Sequence, residues 1–319
     1  MKDIYATPSW RAGPVRLADH IELCALRSPR RRFSAGDMIA NLDRREDEEE
    51  ENFERPVSEA FQELAERIEH LGSARGLYPF ELRGGDELRA RREARRPDGG
   101  CLYLFLLLAT TLNMRDQRWH AELDGAELFE RLSAEVARRY LGGPDDPRVG
   151  ALVFGTSRAG DVHSDESPTG STRFEAAVND LCQRLGEGGH FRPRTDRSVR
   201  ARDDKLDVVV WRGFSDRRGA KLVGFGQCKT GTAWGPELPR LNPDAFCRRW
   251  FDAPPAVTPV KLFFLTDRVR EDFIHHGIEA GVLFDRCRVL DYADRLPREL
   301  VSKCALWART AATTVGLSL

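Results

Sequence analysis

At 319 residues the chain is long enough for two domains, or for one large domain with an elaborated half. A hydrophobic fraction of 41% beside a charged fraction of 32% fits a soluble globular protein with a charge-rich surface. The formal net charge of −1 hides an uneven distribution and does not exclude nucleic acid, because binding needs a local basic face rather than a basic protein.

The first part of the chain reads as mainly helical. "ADHIELCALRS" (18–28) has the spacing of a short amphipathic helix, and basic "PRRRFS" leads into "AGDMIANLDRR". Helix, turn and helix with arginines nearby allows a DNA-reading helix-turn-helix, while two helices packed together is the commoner outcome. "RREDEEEENFE" (44–54) is an acidic solvated face or connection. In "PVSEAFQELAERIEHLG" (56–72), Phe61, Leu64, Ile68 and Leu71 keep helical spacing and Gly72 supplies a stop. "LYPFELRGG" predicts a short strand and turn, and "DELRARREARRPDGG" (86–100) a charged helix or loop. "CLYLFLLLATTL" (101–112) is too short to span a bilayer and predicts a buried helix. "GAELFERLSAEVARRYLGG" (125–143) is amphipathic, and the loop "GGPDDPRVG" (142–150) marks the expected boundary between a module of 1–148 and a domain of 149–319.

Beyond that loop the rhythm changes. "GALVFGTSR" predicts a strand, and "GSTRFEAAVNDLCQRLGEGG" a helix with Phe174, Val178, Leu181 and Leu185 on one face. "KLDVVVWRGF" and "AKLVGFGQCKTG" follow as strands. "PDAFCRRWFDA" reads as a helix, "PVKLFFLTD" as a buried strand, "VREDFIHHGIEAG" as a helix and "CRVLDYA" as a last strand. This alternation predicts an α/β fold with a mixed sheet flanked by helices.

Seven cysteines, at positions 24, 101, 182, 228, 247, 287 and 304, form no CxxC pair and no Cys/His cluster of zinc spacing. Reduced thiols and a cytoplasmic setting are the expectation. The first residues carry no apolar run of the signal-peptide kind, and no membrane association is expected. Neither a GxxxxGK[ST] phosphate loop nor a GxSxG elbow is present, which disfavours an NTPase and a serine hydrolase.

One constellation carries chemistry. Asp207 opens the run "DVVVW", and "GFSDRRG" (213–219) turns the chain back into "LVGFGQCKTG". In a hairpin of that length the two strands lie side by side. Strand alternation puts Gln227 and Lys229 on one face with Cys228 pointing away. If Asp207 shares that face, a carboxylate, an amide oxygen and an ammonium converge. Such oxygen donors suit Mg²⁺ or Mn²⁺, and metal-activated water hydrolyses phosphodiesters. Asp207, Gln227 and the Cys228 backbone carbonyl are the candidate ligands, with Glu175 on the preceding helix as an outer ligand through water. Lys229 is placed to orient the water and to steady developing charge.

"FE" at 174–175, Asp207 at the head of a strand and "QCK" at 227–229 together resemble the PD-(D/E)xK, or restriction-endonuclease-like, nuclease superfamily. They are most similar to its Mrr-like branch, in which Gln replaces an acidic residue. The resemblance covers roughly residues 149–290. It implies an αβββαβ core and Mg²⁺-dependent DNA cleavage, typically in prokaryotic restriction or anti-phage defence. Glu175, Asp207, Gln227 and Lys229 would form the catalytic set. No Pro precedes the Asp, so Asp203 and Asp204 compete with Asp207 for the ligand role. The first core strand is not evident in "GHFRPRTDRSVRA" (189–201).

Two bland readings stand beside this one. Thr172 followed by Glu175 is also a capping-box pattern. The stretch 183–202, with six Arg against one Glu and one Asp, is by default a solvated surface. Beside a phosphodiesterase site, Arg192, Arg194, Arg197, Arg200 and Arg202 become phosphate contacts. Trp234 would stack on a base or merely pack. The expected partners are DNA, an ATPase or helicase subunit, and a second copy of the chain. The alternatives are a catalytically silent nuclease fold for DNA binding or assembly, and an RNA-cleaving nuclease.

Overall fold

The computed structural model describes residues 5–43, 53–71, 77–91, 100–143, 145–154, 170–194, 204–293 and 295–317. Helix α1 (Pro14–Arg27) starts at a proline, whose fixed φ and missing N–H suit a first helical position. Strand β1 (Arg32–Ser34) separates it from α2 (Ala35–Asp43). Helix α3 (Glu54–Leu71) follows, then β2 (Phe80–Arg83) and β3 (Glu87–Ala90). These three strands form an antiparallel sheet of order β1-β3-β2.

That small sheet corrects two expectations. The charged stretch after residue 86, expected as helix or loop, supplies β3. Leu88 and Ala90 are buried while Glu87 and Arg89 are half-exposed, and this two-residue period outweighs the helical preference of Glu, Leu and Arg. The helix-turn-helix alternative also falls away, because a paired strand stands where its turn would be. Arg32 in that strand is bound to Glu87.

Helix α4 (Gly100–Thr111) is apolar on all sides and buried along nearly its whole length. A hairpin of β4 (Trp119–His120) and β5 (Leu123–Asp124) leads into α5 (Gly125–Tyr140), whose first turn is capped by Asp124 accepting from the Ala126 N–H.

The second sheet runs β10-β9-β8-β7-β6. Strands β6 (Val149–Val153), β7 (Val208–Arg212) and β8 (Leu222–Lys229) are antiparallel neighbours. Strands β9 (Val260–Leu265) and β10 (Val282–Phe284) extend the sheet in parallel from β8. The sheet is mixed, as expected. Helix α6 (Gly170–Leu185) lies between β6 and β7, α7 (Pro243–Trp250) connects β8 to β9, and α8 (Phe273–Ala280) connects β9 to β10.

Three details depart from the sequence reading. The strand beside β7 is β6, which precedes α6; of the stretch 189–201 only residues up to 194 are described, and Phe191 forms a lone bridge to Phe251. "CRVLDYA" is not a strand. Its residues 287–291 belong to α9 (Arg286–Asp291), started by Asp285 accepting from the Arg288 N–H, and β10 is the last strand among the described residues. A closing helix, α10 (Arg298–Thr314), packs against α4 and α5.

Each sheet face has its own core. Val210, Leu262, Phe264 and Phe284 belong to one cluster with Leu17, Phe61, Leu104, Leu132 and Trp307, so residues on both sides of 148 share it. Val209 and Phe225 face the other way, with Phe174, Val178, Leu181, Phe246 and Trp250. No helix among the described residues is long and apolar enough to cross a membrane.

A buried polar network joins the first helices to the end of the sheet. The Arg67 guanidinium binds Asp19 at 2.7 Å, Glu22 at 2.9 Å and Glu63 at 2.8 Å. Arg286 forks onto Asp19 at 2.8 and 3.0 Å and donates through Nε to the Thr266 carbonyl at 2.9 Å. Tyr78 and Tyr103 donate their hydroxyls to Glu22 at 2.5 and 2.7 Å. Burial pushes the Asp19 carboxyl upward, but Arg286, Arg67 and Arg16 outweigh it and hold the group well below the usual carboxylate range.

Two outcomes follow from this network. Arg286→Ala removes the two-pronged partner of the buried Asp19 carboxylate, leaving it to Arg67 and Arg16, and is expected to cost about 3–5 kcal/mol in urea unfolding. A loss below about 1 kcal/mol would show that the network holds little of the fold together. The second outcome concerns pH. A carboxyl whose folded pKa is depressed contributes stability above its unfolded pKa, roughly 3.9, and loses it as pH falls further. The urea midpoint should therefore drop between pH 5 and pH 3, and Asp19→Asn should flatten that drop.

Candidate functional site

The site forms where β7 ends and β8 continues. Val208 pairs with Gly226, so the antiparallel register carried one step back sets Asp207 opposite Gln227. Strand β8 then runs on beside β9 alone, with Gln227, Cys228 and Lys229 paired to Phe263, Phe264 and Leu265. At this fork the Cys228 N–H has outrun its β7 partner, and Asp207 Oδ2 accepts it at 2.7 Å. The Asp207 backbone is fixed on both sides: its N–H donates to Gly226 O at 2.9 Å, and its carbonyl accepts from Phe154 N at 2.7 Å.

Alternation along β8 does the rest. Gly226 lies on the α4/α5 side, where a Cβ would meet Phe264 Cε2 at 2.9 Å; only glycine lets that ring close over the strand. The opposite face carries Val223, Phe225, Gln227 and Lys229. Gln227 is fully buried, and neither its amide oxygen nor its amide nitrogen has a hydrogen-bond partner. Leaving such a group unpaired costs about 1–3 kcal/mol.

Lys229 is three-quarters covered, and its Nζ stands 3.2 Å from Glu237 Oε2. Glu237 ends the 3-10 turn Gly235–Glu237, and its Oε1 is bound by Arg240 at 2.9 Å. The connecting loop is tied down. Gly231 takes a positive φ of 76° and donates its N–H to Ala109 O at the end of α4, at 3.1 Å. The Trp234 indole donates to Asp267 at 2.7 Å, and Arg16 of α1 binds the same carboxylate.

On the other face of β8, burial drives the Cys228 thiol far above the ordinary thiol range, and Asp207 and Glu130 push the same way. Cys228 is thus no nucleophile, and Glu130 of α5 lies within electrostatic reach of the same strand end.

Asp207, Gln227 and Lys229 are therefore gathered at one strand end. Glu175 is exposed on α6, and no hydrogen bond or ion pair links it to them among the described residues. Helix α6 begins at Gly170, so Thr172 lies inside the first turn rather than ahead of it, and the capping-box reading does not fit. Asp204 is committed elsewhere, to Arg249 at 2.5 Å and Trp250 Nε1 at 2.7 Å; Asp203 lies outside the described residues.

Of the proposed phosphate contacts, Arg197, Arg200 and Arg202 lie outside the described residues. Arg192 pairs with Asp252 at 2.8 Å and Arg194 donates to the Asp252 carbonyl at 3.1 Å. Both remain exposed to solvent, so these pairs hold them only weakly against a phosphate. Trp234 is half-buried, hydrogen-bonded through its indole nitrogen, and set edge-on to His276.

Sequence reasoning missed Glu237. Pro236 marks a turn start, but nothing in "WGPEL" says that the turn folds back onto Lys229.

The donors a hard cation would need are partly present. The buried Gln227 amide oxygen is an unused acceptor, and the Asp207 carboxylate stands beside it. These are oxygen donors of the kind Mg²⁺ takes while keeping several waters. Among the described residues, no group of three or more His, Cys, Asp or Glu side chains is arranged to hold a metal ion. A cation here would lean on Asp207, Gln227, a backbone carbonyl and water.

Comparison with protein-family models, with curated proteins and with solved structures finds no match.

Replacing Gln227 by Leu removes an unsatisfied amide while keeping most of its volume. Thermal or urea unfolding is expected to show a gain of about 1–3 kcal/mol. A loss of that size would mean that the amide has a bonded partner in solution.

Proposed function

We propose that this chain is a metal-dependent nuclease whose site is Asp207, Gln227 and Lys229 at the fork of β7 and β8. The observation that carries the reading is Gln227, buried with both amide atoms unpartnered, beside a carboxylate and an ammonium. A structural residue there would be apolar. A polar one retained at a cost in stability is explained by a ligand.

The order α5, β6-β7-β8, α7, β9 supports a restriction-endonuclease-like core, a helix, three antiparallel strands, a helix and a parallel strand, with α6 inserted after β6. A bound Mg²⁺ or Mn²⁺ would supply an activated water. The chain's own part is positional. The Asp207 and Gln227 oxygens would hold the ion, and the Lys229 ammonium would face the phosphate and steady the charge that develops on it. With Glu175 exposed, Asp207 is the acid on which this site rests.

A second reading keeps the same site without catalysis: a nuclease fold retained for DNA binding or assembly. DNA or RNA is the substrate class in the first case, DNA the ligand in the second. Any ATP-driven step would come from a partner subunit.

Supercoiled plasmid and a structured RNA, each with Mg²⁺ or Mn²⁺, separate these readings. The unmodified protein is expected to nick or linearise DNA. Asp207→Asn and Lys229→Ala should each reduce the rate by about 10²–10³. Equal cleavage by all three proteins would remove the site assignment. DNA binding without cleavage would establish the silent fold, and cleavage of RNA alone would reassign the substrate.

A further inference from the structure

Lys229 is the last residue of β8, and four rotatable bonds separate its ammonium from the strand. A cation on so long a stem needs a partner if it is to meet a phosphate in one place. The Asp207 carboxylate accepts from the Cys228 amide. The ion-pair partner of Lys229 is Glu237, eight residues further on.

The mounting of Glu237 is unusually firm for a loop residue. Pro236 presets the turn, and the Glu237 N–H donates to Trp234 O at 2.9 Å. Leu238 buries the next side chain in the core formed by Phe263, Leu265 and Leu283. Trp234 is anchored through Asp267 to Arg16 of α1. Arg240 occupies Oε1. The other oxygen, Oε2, is buried without a hydrogen-bond partner and stands closest to the Lys229 ammonium. Two side chains of this neighbourhood, Gln227 and Glu237, therefore keep unused polar atoms.

We propose that Glu237 is the positioning residue of the site: its carboxylate, braced by Arg240 and by the Trp234–Asp267–Arg16 chain, holds the Lys229 ammonium beside Gln227 where the scissile phosphate arrives. This rests on the nuclease reading. Glu237 touches no substrate and acts only through Lys229. The short ion pair, incomplete as a hydrogen bond, leaves the ammonium protons available to a phosphate oxygen while its location stays fixed.

The test compares the unmodified protein with Glu237→Gln, which keeps the shape and an acceptor for Arg240 but removes the charge. Two measurements are made on each. One is the rate at which acetic anhydride acylates Lys229, followed by mass spectrometry of its peptide. The other is plasmid cleavage with Mn²⁺, resolved into kcat and KM. Glu237→Gln is expected to raise Lys229 acylation about threefold or more and to lower kcat about tenfold, with KM within about twofold. Thermal midpoints confirm that both proteins are folded. If Glu237→Gln does not fold, Glu237→Asp takes its place and should give intermediate values.

Unchanged acylation of Lys229 overturns the inference. So does cleavage that Lys229→Ala abolishes and Glu237→Gln leaves intact, and in that case the nuclease reading survives. Release of Lys229 in a protein that cleaves neither DNA nor RNA overturns the catalytic purpose of the pair together with the nuclease reading.

Discussion

The fold depends on keeping several charges out of water at once. Arg67 and Arg286 are fully buried, and so are Asp19, Glu22 and Glu63 around them. Taking ions from water costs several kcal/mol each, and is tolerable only where geometry and extra hydrogen bonds return most of it. Here the two guanidiniums share Asp19, and Tyr78 and Tyr103 fill the remaining acceptor sites of Glu22. Burial still leaves the Glu22 carboxyl above its ordinary range, with Arg67 pulling against it. The same guanidiniums also bond to backbone, Arg286 to Thr266 and Arg67 to Val15. A network this connected admits few arrangements, because moving one member strands the others.

That rigidity reaches the candidate site through short links. Arg286 holds the Thr266 carbonyl, and the Thr266 N–H donates to Lys229 O at 3.2 Å. Thr110, at the end of α4, donates to the same Thr266 carbonyl at 2.7 Å, and Gly231 bonds to Ala109 one residue earlier in that helix. Asp267 then ties Arg16 to Trp234. The end of β8 and the turn that bears Glu237 thus hang from the helices that precede β6. The first part of the chain builds the platform for the candidate site contributed by the second.

Local periodicity explains which features were legible in the sequence. Strands β7 and β8 were, because three valines after Asp207 and the alternating "GFGQCK" carry a two-residue period, and that period alone puts Gln227 and Lys229 on one face. Helices α1, α3, α5 and α6 were legible from the 3.6-residue period. Strand β3 was not: four residues hold too few alternations to oppose a charged, helix-favouring composition. The stretch after residue 285 misled for a related reason, since "RVL" is apolar enough for a strand and the deciding feature is a single capping aspartate. The buried network was invisible, with partners as far as 267 residues apart and arginines that look solvated in sequence. Glu237 was invisible too, because a turn geometry brings it to Lys229. The motif marks the strand end; its surroundings come from the tertiary fold.

The interior also shows how selective its one large exception is. Most buried polar atoms left without a partner belong to groups that are otherwise engaged, such as Glu63, which binds Arg67 through its other oxygen. Gln227 is the side chain with two unpartnered atoms among the described residues. A chain that pairs two buried arginines with three carboxylates and two tyrosines has not left an amide unpaired for lack of polar chemistry. Substituting a leucine would remove the penalty at little cost in packing. The amide sits where β8 loses its β7 neighbour, next to the one carboxylate and the one ammonium that alternation brings to this face. Exposed arginines elsewhere on the surface give up little to stay where they are, so they say little about purpose. Gln227 gives up much, and this asymmetry makes it the most informative residue in the protein.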